Sequence, residues 1–305
     1  MIREIQLPNR KFSWFDVVEP HSHDVERLSA EFGLPYLLVQ DCLRPEHLPK
    51  YEHTDEGHFL MMRNYDADAE VDAATIQDLT RKIALFITRD RIVTIHRVEL
   101  DYLSRVAEKC EKAEAPKSLE GLLHQIILSV IRSYEKPIEN LQDLYDDFEA
   151  DVLSRKCETL DTTRIYRFRR QIFVMKRLLK QTNDSLYRFK DFWEHHTSML
   201  QDLRENIDQL YFRLDEVSDN FEHLFQLHIA LNDQRANEVM KTLTVFSSIL
   251  LPLNFLASFY GMNFVHLPGL ESYSALYGLM IVMVILSVVA IWYFRQKGWF
   301  RTPKE

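Results

Sequence analysis

The tripeptide Gly261-Met262-Asn263 closes an uncharged apolar stretch and holds the residue types with the clearest chemistry in the chain. A carboxamide and the main-chain carbonyls beside a glycine offer neutral oxygen acceptors. Such oxygens can hydrogen-bond the water shell of a cation without the fixed charge that would trap it. Gly261 also tolerates the left-handed backbone conformation that ends a helix. An ordinary helix C-terminus is the plain alternative for the same tripeptide.

Polar side chains recur along the apolar stretch that leads to this tripeptide. Spacings of three and four residues place them on one stripe of a helix. The stripe consists of Asn237, Met240, Thr244, Ser247, Leu251, Asn254, Ser258 and Gly261. An unpaired amide in hydrocarbon is costly, so this stripe must face protein or water. Several copies around a water-filled axis would satisfy the requirement, and so would close packing of two helices through small residues such as Ser247 and Ala257.

Two stretches without a charged residue, Thr242–Val265 and Ser272–Phe294, contain 24 and 23 residues. Each is long enough to cross the hydrocarbon core of a bilayer as a helix. The short connection between them predicts a hairpin with both chain ends on one side of the membrane. Lys and Arg flank the stretches and are absent from the connection, so the positive-inside rule predicts cytoplasmic termini. We therefore expect a multi-pass protein of the cytoplasmic (inner) membrane, with a buried hairpin in a soluble core as the alternative.

The remaining composition argues against other classes of function. A net charge of −9 offers nothing to nucleic acid. Cys42, Cys110 and Cys157 are isolated, which fits a reducing cytoplasm better than a zinc or disulfide framework. No two glycines are close enough for a phosphate-cradling loop, and no nucleophile, base and oxyanion-donor set emerges. We expect no enzyme, no covalently bound cofactor and, since the first residues lack an apolar segment, no cleaved signal peptide.

Glycine and proline divide the polar part of the chain. The segment 122–260 contains no glycine, which predicts an almost continuous helical region. The segment 1–117 holds most of the prolines and several runs of strand character. Predicted strands are 58–62, 83–88 and 91–96, the last two as a hairpin, and predicted helices are 16–32 and 100–110. We therefore predict that the N-terminal third is an α/β domain.

A heptad pattern of apolar residues runs through the helical region. Its members are Leu203, Ile207, Leu210, Leu214, Val217, Phe221, Leu224 and Leu231, with His228 at the one missing step. The pattern continues without a breaker into the first apolar stretch, which predicts one helix of about 65 residues, roughly 95 Å long. Helices near 119–153 and 160–195 are expected to pack against it. A coiled-coil spacer is the alternative interpretation of this heptad pattern.

The C-terminal third resembles the CorA family of magnesium transporters. The resemblance rests on Asn237-Glu238-Val239-Met240-Lys241-x-Leu243-Thr244, on Pro252, and on Tyr260-Gly261-Met262-Asn263-Phe264, followed by a second apolar stretch and a basic tail. It implies a homopentameric channel for hydrated Mg²⁺, with Co²⁺ or Ni²⁺ as further substrates and cytoplasmic Mg²⁺ as the regulatory ion. Zinc transporters of the same superfamily are one alternative, although they usually vary the middle residue of the tripeptide. A membrane-anchored coiled-coil scaffold without transport is the alternative from another class.

The resemblance also implies roles for single residues. Gly261, Met262 and Asn263 would form the selectivity filter, with Met262 packing more than coordinating. The pore-lining residues would be Asn237, Met240, Thr244, Ser247, Leu251 and Asn254, of which Met240 and Leu251 form hydrophobic constrictions. Glu271, the only acid of the outer loop, would attract cations at the outer mouth. Asp202 and Glu205 match acidic positions that bind regulatory Mg²⁺, and Asp90 is the candidate partner carboxylate.

The fold class that follows is an α+β membrane protein with a long helical stalk and two C-terminal transmembrane helices. The predicted division is a cytoplasmic α/β domain (1–117), a cytoplasmic helical stalk (118–240), transmembrane helix 1 (241–263), an extracytoplasmic loop (264–273), transmembrane helix 2 (274–294) and a basic cytoplasmic tail (295–305). Expected partners are further copies of the chain, the lipid bilayer and divalent cations.

Overall fold

The computed structural model describes residues 2–7, 12–21, 24–70, 73–110, 116, 118–153, 162–262 and 273–299. The chain divides into two compact units, Met1–Leu224 and Phe225–Glu305. The first unit contains a mixed sheet and most of the helices. The second contains the apolar helices. The α+β class with two C-terminal apolar helices, predicted from the sequence, is confirmed.

A six-stranded sheet forms the centre of the first unit, with strand order β1-β2-β6-β5-β4-β3. The strands are β1 (Ile2–Ile5), β2 (Ser13–Val18), β3 (Lys50–Thr54), β4 (Gly57–Tyr65), β5 (Thr80–Ile87) and β6 (Arg91–His96). The pair β2 and β6 is parallel, and the other neighbouring pairs are antiparallel. The three predicted strands and the β5–β6 hairpin are confirmed, whereas β1, β2 and β3 lacked a clear sequence signal.

Helices cover both faces of this sheet. On one face, α1 (Asp24–Phe32) and α2 (Tyr36–Leu43) share a buried apolar cluster with Phe59, Met61 and Phe86. On the other face, α4 (Asp101–Lys109) packs beside α5 (Leu119–Arg132), which contacts β4 and β6. The short helix α3 (Ile76–Leu79) leads into β5. Burial on both faces explains why β4, β5 and β6 read as nearly continuous apolar runs.

The helix predicted over 16–32 is wrong in its first part. Asp16 lies inside strand β2, and α1 begins only at Asp24. Strand β2 pairs with β6 along its full length. Between these strands, the Asp16 carboxylate accepts a hydrogen bond from Thr94 Oγ1 at 2.5 Å and lies 2.9 Å from His96 Nε2. These partners are about 80 residues away in sequence, so tertiary pairing overrode the local helix preference.

The helical region is confirmed for the described residues. After α5 it comprises α6 (Glu135–Leu153), α7 (Thr162–Arg188), a 3-10 turn (Lys190–Trp193) and α8 (Thr197–Tyr260), and α9 (Tyr273–Gln296) follows it. Within the first unit, all heptad residues from Leu203 to Leu224 are buried. Phe221 of α8 stacks on Phe168 of α7, with ring centroids 4.1 Å apart, and meets Phe148 of α6 edge-on. These heptad residues therefore pack against other helices of the same chain.

Lys82 is a buried cation on the face of the sheet that α2 covers. Its ammonium donates to the main-chain oxygens of Asp41 and Arg44 at the C-terminal end of α2. A positive charge is favourable there because helix carbonyls point at it. Burial nevertheless lowers the pKa of Lys82 to about 8, because desolvation penalises the charged form.

Substitution of Lys82 by methionine should change how stability depends on pH. Between about pH 8 and 10.5 the unfolded chain holds a proton that the folded chain has released, so the free energy of unfolding rises with pH. The Lys82→Met variant should lack this rise. Urea unfolding of the detergent-solubilised chain at pH 7.5, 9 and 10, wild type against variant, measures it. The exposed Lys180→Met is the control and should keep the wild-type pH slope; an unchanged slope in Lys82→Met would contradict the assignment.

Candidate functional site

Both apolar helices are long and apolar enough to cross a membrane. The most apolar window of α8 has a mean hydropathy of 1.6 and is 6% buried; the window in α9 has a mean hydropathy of 2.5 and is 0% buried. A helix in the core of a soluble protein is mostly covered by its own chain. The exposure of both helices thus argues against the alternative of a buried hairpin in a soluble core.

The membrane segment of α8 has one face that is partly covered within the chain. Val245 is 7% exposed, and the next residues on that side are half-buried. They are Ser248, Ile249, Pro252, Leu253 and Leu256. In α9 a matching stripe of half-buried residues follows helical spacing, namely Ala275, Leu279, Met283, Ser287, Ala290 and Phe294. Each apolar helix therefore presents one covered stripe and leaves the rest of its surface open.

The predicted polar stripe of α8 lies opposite its covered face. At about 100° per residue, Asn254 points roughly 160° to 180° away from Val245 and Pro252, and Ser258 points roughly 120° to 140° away from them. All stripe members are exposed in the single chain except Ser247, which is half-buried. The exposed carboxamides lie along the same line as the exposed apolar side chains of Met240 and Leu251. The fold of one chain therefore leaves this stripe without cover.

Hydrogen bonding separates the polar members of the stripe into two kinds. Thr244 Oγ1 donates to the Met240 carbonyl at 2.7 Å, so this hydroxyl is satisfied inside its own helix. The side chains of Asn237 and Asn254, in contrast, make no hydrogen bond with any part of the chain that the structure describes. A carboxamide has two donors and one acceptor oxygen. In a membrane, Asn254 therefore requires water or another protein chain.

Gly261 directly follows the last residue of α8 and does not use the left-handed conformation that glycine tolerates. The Gly261 N–H donates to the Ala257 carbonyl at 3.0 Å, and its φ is not positive. The glycine N–H therefore continues the helical hydrogen bonding by one residue, with the Ala257 carbonyl one turn earlier as its acceptor. A Cβ at this position would lie 3.2 Å from the Ala257 oxygen, so glycine allows a close approach here. Met262 is exposed, and Asn263 and Glu271 lie outside the described residues.

The three carboxylates predicted to bind a regulatory ion do not form one cluster, and each has its own hydrogen-bond partner. Asp202 Oδ2 lies 2.8 Å from His124 Nε2 of α5, and Glu205 accepts a hydrogen bond from Gln201 Nε2 at 2.7 Å. Asp90 lies in the β5–β6 turn, where the Thr88 hydroxyl and the Arg91 guanidinium lower its pKa. Among the residues described, no group of three or more metal-ligating side chains occurs. His124 is a partner that sequence reasoning missed, because 78 residues separate it from Asp202.

Cysteine substitution along α8 tests whether the stripe contacts water in the membrane-embedded protein. In a background without the native cysteines, Asn254→Cys and Ser258→Cys should react with a charged, membrane-impermeant thiol reagent at least about tenfold faster than Phe246→Cys. A thiol surrounded by lipid has a raised pKa and little reactive thiolate. The measurement is the labelling rate in proteoliposomes, with Asn237→Cys as the positive control. Equal rates on both faces would contradict a water-exposed stripe.

Comparison with known proteins gives three further findings. Residues 9–296 match the family model described as CorA-like Mg²⁺ transporter protein. The cobalt/magnesium transport protein CorA of Thermotoga maritima is 25% identical over 308 residues, covering 97% of this chain and 86% of that protein. The CorA magnesium transporter of Methanocaldococcus jannaschii has a similar structure, with a TM-score of 0.80, 20% identity and coverage of 97% of this chain and 94% of that one.

A second solved structure also has a similar fold. The cytoplasmic domain of ZntB from Vibrio parahaemolyticus matches with a TM-score of 0.62 and 14% identity, covering 74% of this chain and 89% of that one. At this identity the match concerns the fold alone.

Proposed function

The chain belongs to the CorA-like Mg²⁺ transporter family, and from that membership we propose that it forms a homopentameric channel passing hydrated Mg²⁺ into the cytoplasm. The family assignment establishes a divalent-cation transporter; the pentamer, the pore residues and the regulation are our proposal. The observation that carries it is the exposed stripe on α8, whose Asn254 carboxamide has no partner within the described chain. Several copies that turn this stripe toward a common aqueous axis would meet that requirement.

The stripe residues divide into two groups along the proposed pore. Asn237, Thr244, Ser247 and Asn254 offer polar groups to water and to the hydrated ion. Met240 and Leu251, both exposed in the single chain, form the narrow apolar sections that can close the path by excluding water. The exposed side chains of α9 from Met280 to Val289 are all apolar, and this helix lies against lipid in this arrangement.

The proposed selectivity filter is the tripeptide at residues 261–263. Mg²⁺ loses its octahedral water shell reluctantly, so neutral acceptors that bind the water shell suit its selection. Gly261 carbonyls and the Asn263 carboxamides of five copies supply these acceptors. Met262 packs beside them, because a thioether is a poor ligand for a hard ion. Glu271 contributes one carboxylate per copy at the outer mouth, where it attracts cations.

Both chain ends lie in the cytoplasm in this proposal, and the membrane is the inner membrane. The proposed spans are 241–263 and 274–294. The flow is passive, since a membrane potential negative inside contributes about 2.3 kcal/mol per elementary charge for each 100 mV. Co²⁺ and Ni²⁺ are further candidate substrates, because they also hold octahedral water shells.

Regulation by cytoplasmic Mg²⁺ requires carboxylates from more than one chain. Asp202 and Glu205 occupy successive turns of α8 and are both exposed, while Asp90 lies in an exposed turn. Because the described part of one chain has no preformed metal cluster, we assign the ion to a site between neighbouring copies. Binding there would compete with the contact between Asp202 and His124.

Uptake measurements test the proposed channel and its filter. Mg²⁺ flux into proteoliposomes at fixed membrane potential should fall at least about tenfold in Asn263→Ala, equivalent to about 1.4 kcal/mol, because the ring of acceptors at the entrance is lost. Asn232→Ala, outside the apolar segment of the same helix, is the matched control and should keep wild-type flux. Flux of Zn²⁺ alone would place the protein with the zinc transporters, and no flux of either ion would support a scaffold.

Removal of the candidate regulatory charges should relieve inhibition by internal Mg²⁺. The Asp202→Asn/Glu205→Gln variant should keep most of its flux at a millimolar internal Mg²⁺ concentration that closes the wild type, since the regulatory ion loses two ligands. The exposed Asp219→Asn on the same helix is the control. Identical inhibition curves for the double variant and the wild type would rule out these two carboxylates.

A further inference from the structure

Two histidines face each other across the β3–β4 hairpin at the edge of the sheet. His53 of β3 and His58 of β4 are directly paired in the strand register, so their side chains lie on the same face. Their Nδ1 atoms are 3.4 Å apart. Two ligand nitrogens of a tetrahedral Zn²⁺ ion, each about 2.0 to 2.1 Å from the metal, are separated by about 3.3 to 3.4 Å. The hairpin therefore holds two imidazole nitrogens at the spacing of a chelating pair.

Aromatic side chains hold the His58 ring in position. The ring packs against Phe189 and Phe192, with centroid distances of 5.2 and 5.5 Å, and stacks on Tyr51 at 6.0 Å. Burial lowers the pKa of His58, and the neighbouring His53 lowers it further. The neutral imidazole is thus favoured at neutral pH, and this is the form that binds a metal ion.

The His58 Nδ1 atom has two polar neighbours that compete for it. It lies 2.8 Å from the Tyr51 hydroxyl and 3.4 Å from His53 Nδ1. A ring nitrogen either donates or accepts one hydrogen bond, so it cannot pair fully with both neighbours. A metal ion bound by both Nδ1 atoms removes this competition and leaves the Tyr51 hydroxyl to hydrogen-bond a water ligand of the ion.

Acidic residues near the pair favour a cation. Asp191, in the 3-10 turn after α7, is a negative charge close enough to act on both His58 and Tyr51, and it raises the pKa of each. The Asp191 carboxylate forms no hydrogen bond or ion pair with the residues that the structure describes. The turn between the two histidines adds Asp55 and Glu56, both exposed.

The basic residues nearby do not cancel this negative charge. Lys50 alternates with Tyr51 along β3, and on the other face of the sheet its ammonium pairs with Asp41 at 2.8 Å. Lys190 begins the 3-10 turn, and its ammonium lies 5.3 Å from the centre of the Tyr187 ring. No lysine or arginine of the described chain contributes to the pKa shift of His58. The surroundings of the pair therefore suit a positive ion.

We propose that His53 and His58 bind a divalent transition-metal ion such as Zn²⁺ through their Nδ1 atoms, with water completing the coordination. Imidazole is a good ligand for Zn²⁺, whereas Mg²⁺ prefers oxygen ligands. The described residues supply no group of three metal-ligating side chains, so the site is open to water. The ion ties β3, the outermost strand, to β4. The proposal does not rest on the proposed channel, since both histidines belong to the first unit.

Calorimetric titration of the full-length, detergent-solubilised protein with Zn²⁺ tests the proposal. An excess of Mg²⁺ in the buffer occupies sites built from oxygen ligands. We expect one Zn²⁺ site per chain whose affinity falls more than about tenfold in His53→Ala, because one of two chelating ligands is lost. Asp191→Asn should weaken binding by a smaller factor, and Tyr51→Phe should leave the affinity within about threefold, because neither side chain is a ligand. Zn²⁺ should also raise the thermal unfolding temperature of the wild type but not of His53→Ala.

The control variant His223→Ala removes an exposed histidine of α8 and should bind Zn²⁺ as the wild type does. Because His53 is exposed, its substitution leaves the packed core unchanged, which an unaltered unfolding curve without Zn²⁺ verifies. Absence of Zn²⁺ binding to the wild type would overturn the proposal, as would equal affinity in His53→Ala and the wild type. An equal loss of affinity in His223→Ala would also overturn it, because binding would then not be specific to the hairpin.

Discussion

A carboxamide on the apolar part of a helix requires hydrogen-bond partners, and the described part of this chain supplies none for Asn254. Thr244 meets the same requirement inside its own helix, whereas a carboxamide has too many donors and acceptors to do so. The covered face of α8 lies on the opposite side, so intrachain packing cannot reach the stripe. Association of several copies around water is the arrangement that this constraint favours, and the proposed pore follows from it.

In the first unit, α8 packs against other helices of the chain. There its apolar heptad residues are buried, and Phe221 stacks on Phe168 of α7. The change from a buried apolar seam to an exposed polar stripe occurs along one uninterrupted helix, Thr197–Tyr260. Helices of the same chain thus cover the apolar heptad residues of α8 in the first unit, whereas the polar stripe in the second unit is exposed.

The charged groups of the first unit are of two kinds: some have partners inside the fold, and others are exposed. Asp16 is fully engaged with Thr94 and His96 in the sheet, and Lys82 is held by the carbonyls at the end of α2. Asp202, Glu205 and Asp90 are instead exposed and have only local or single partners. Exposed groups of this kind are available to ions, ligands or neighbouring chains.

The sequence by itself determined the apolar spans, the long helix with its heptad seam, the polar stripe and the family, because each is a local pattern of residue type and period. It did not determine strand β2 or the contact of Asp202 with His124. Those features join residues far apart in the chain, and only the folded backbone brings them together. The sequence also left the backbone conformation of Gly261 open; in the structure its N–H donates to the Ala257 carbonyl one turn earlier, and its φ is not positive.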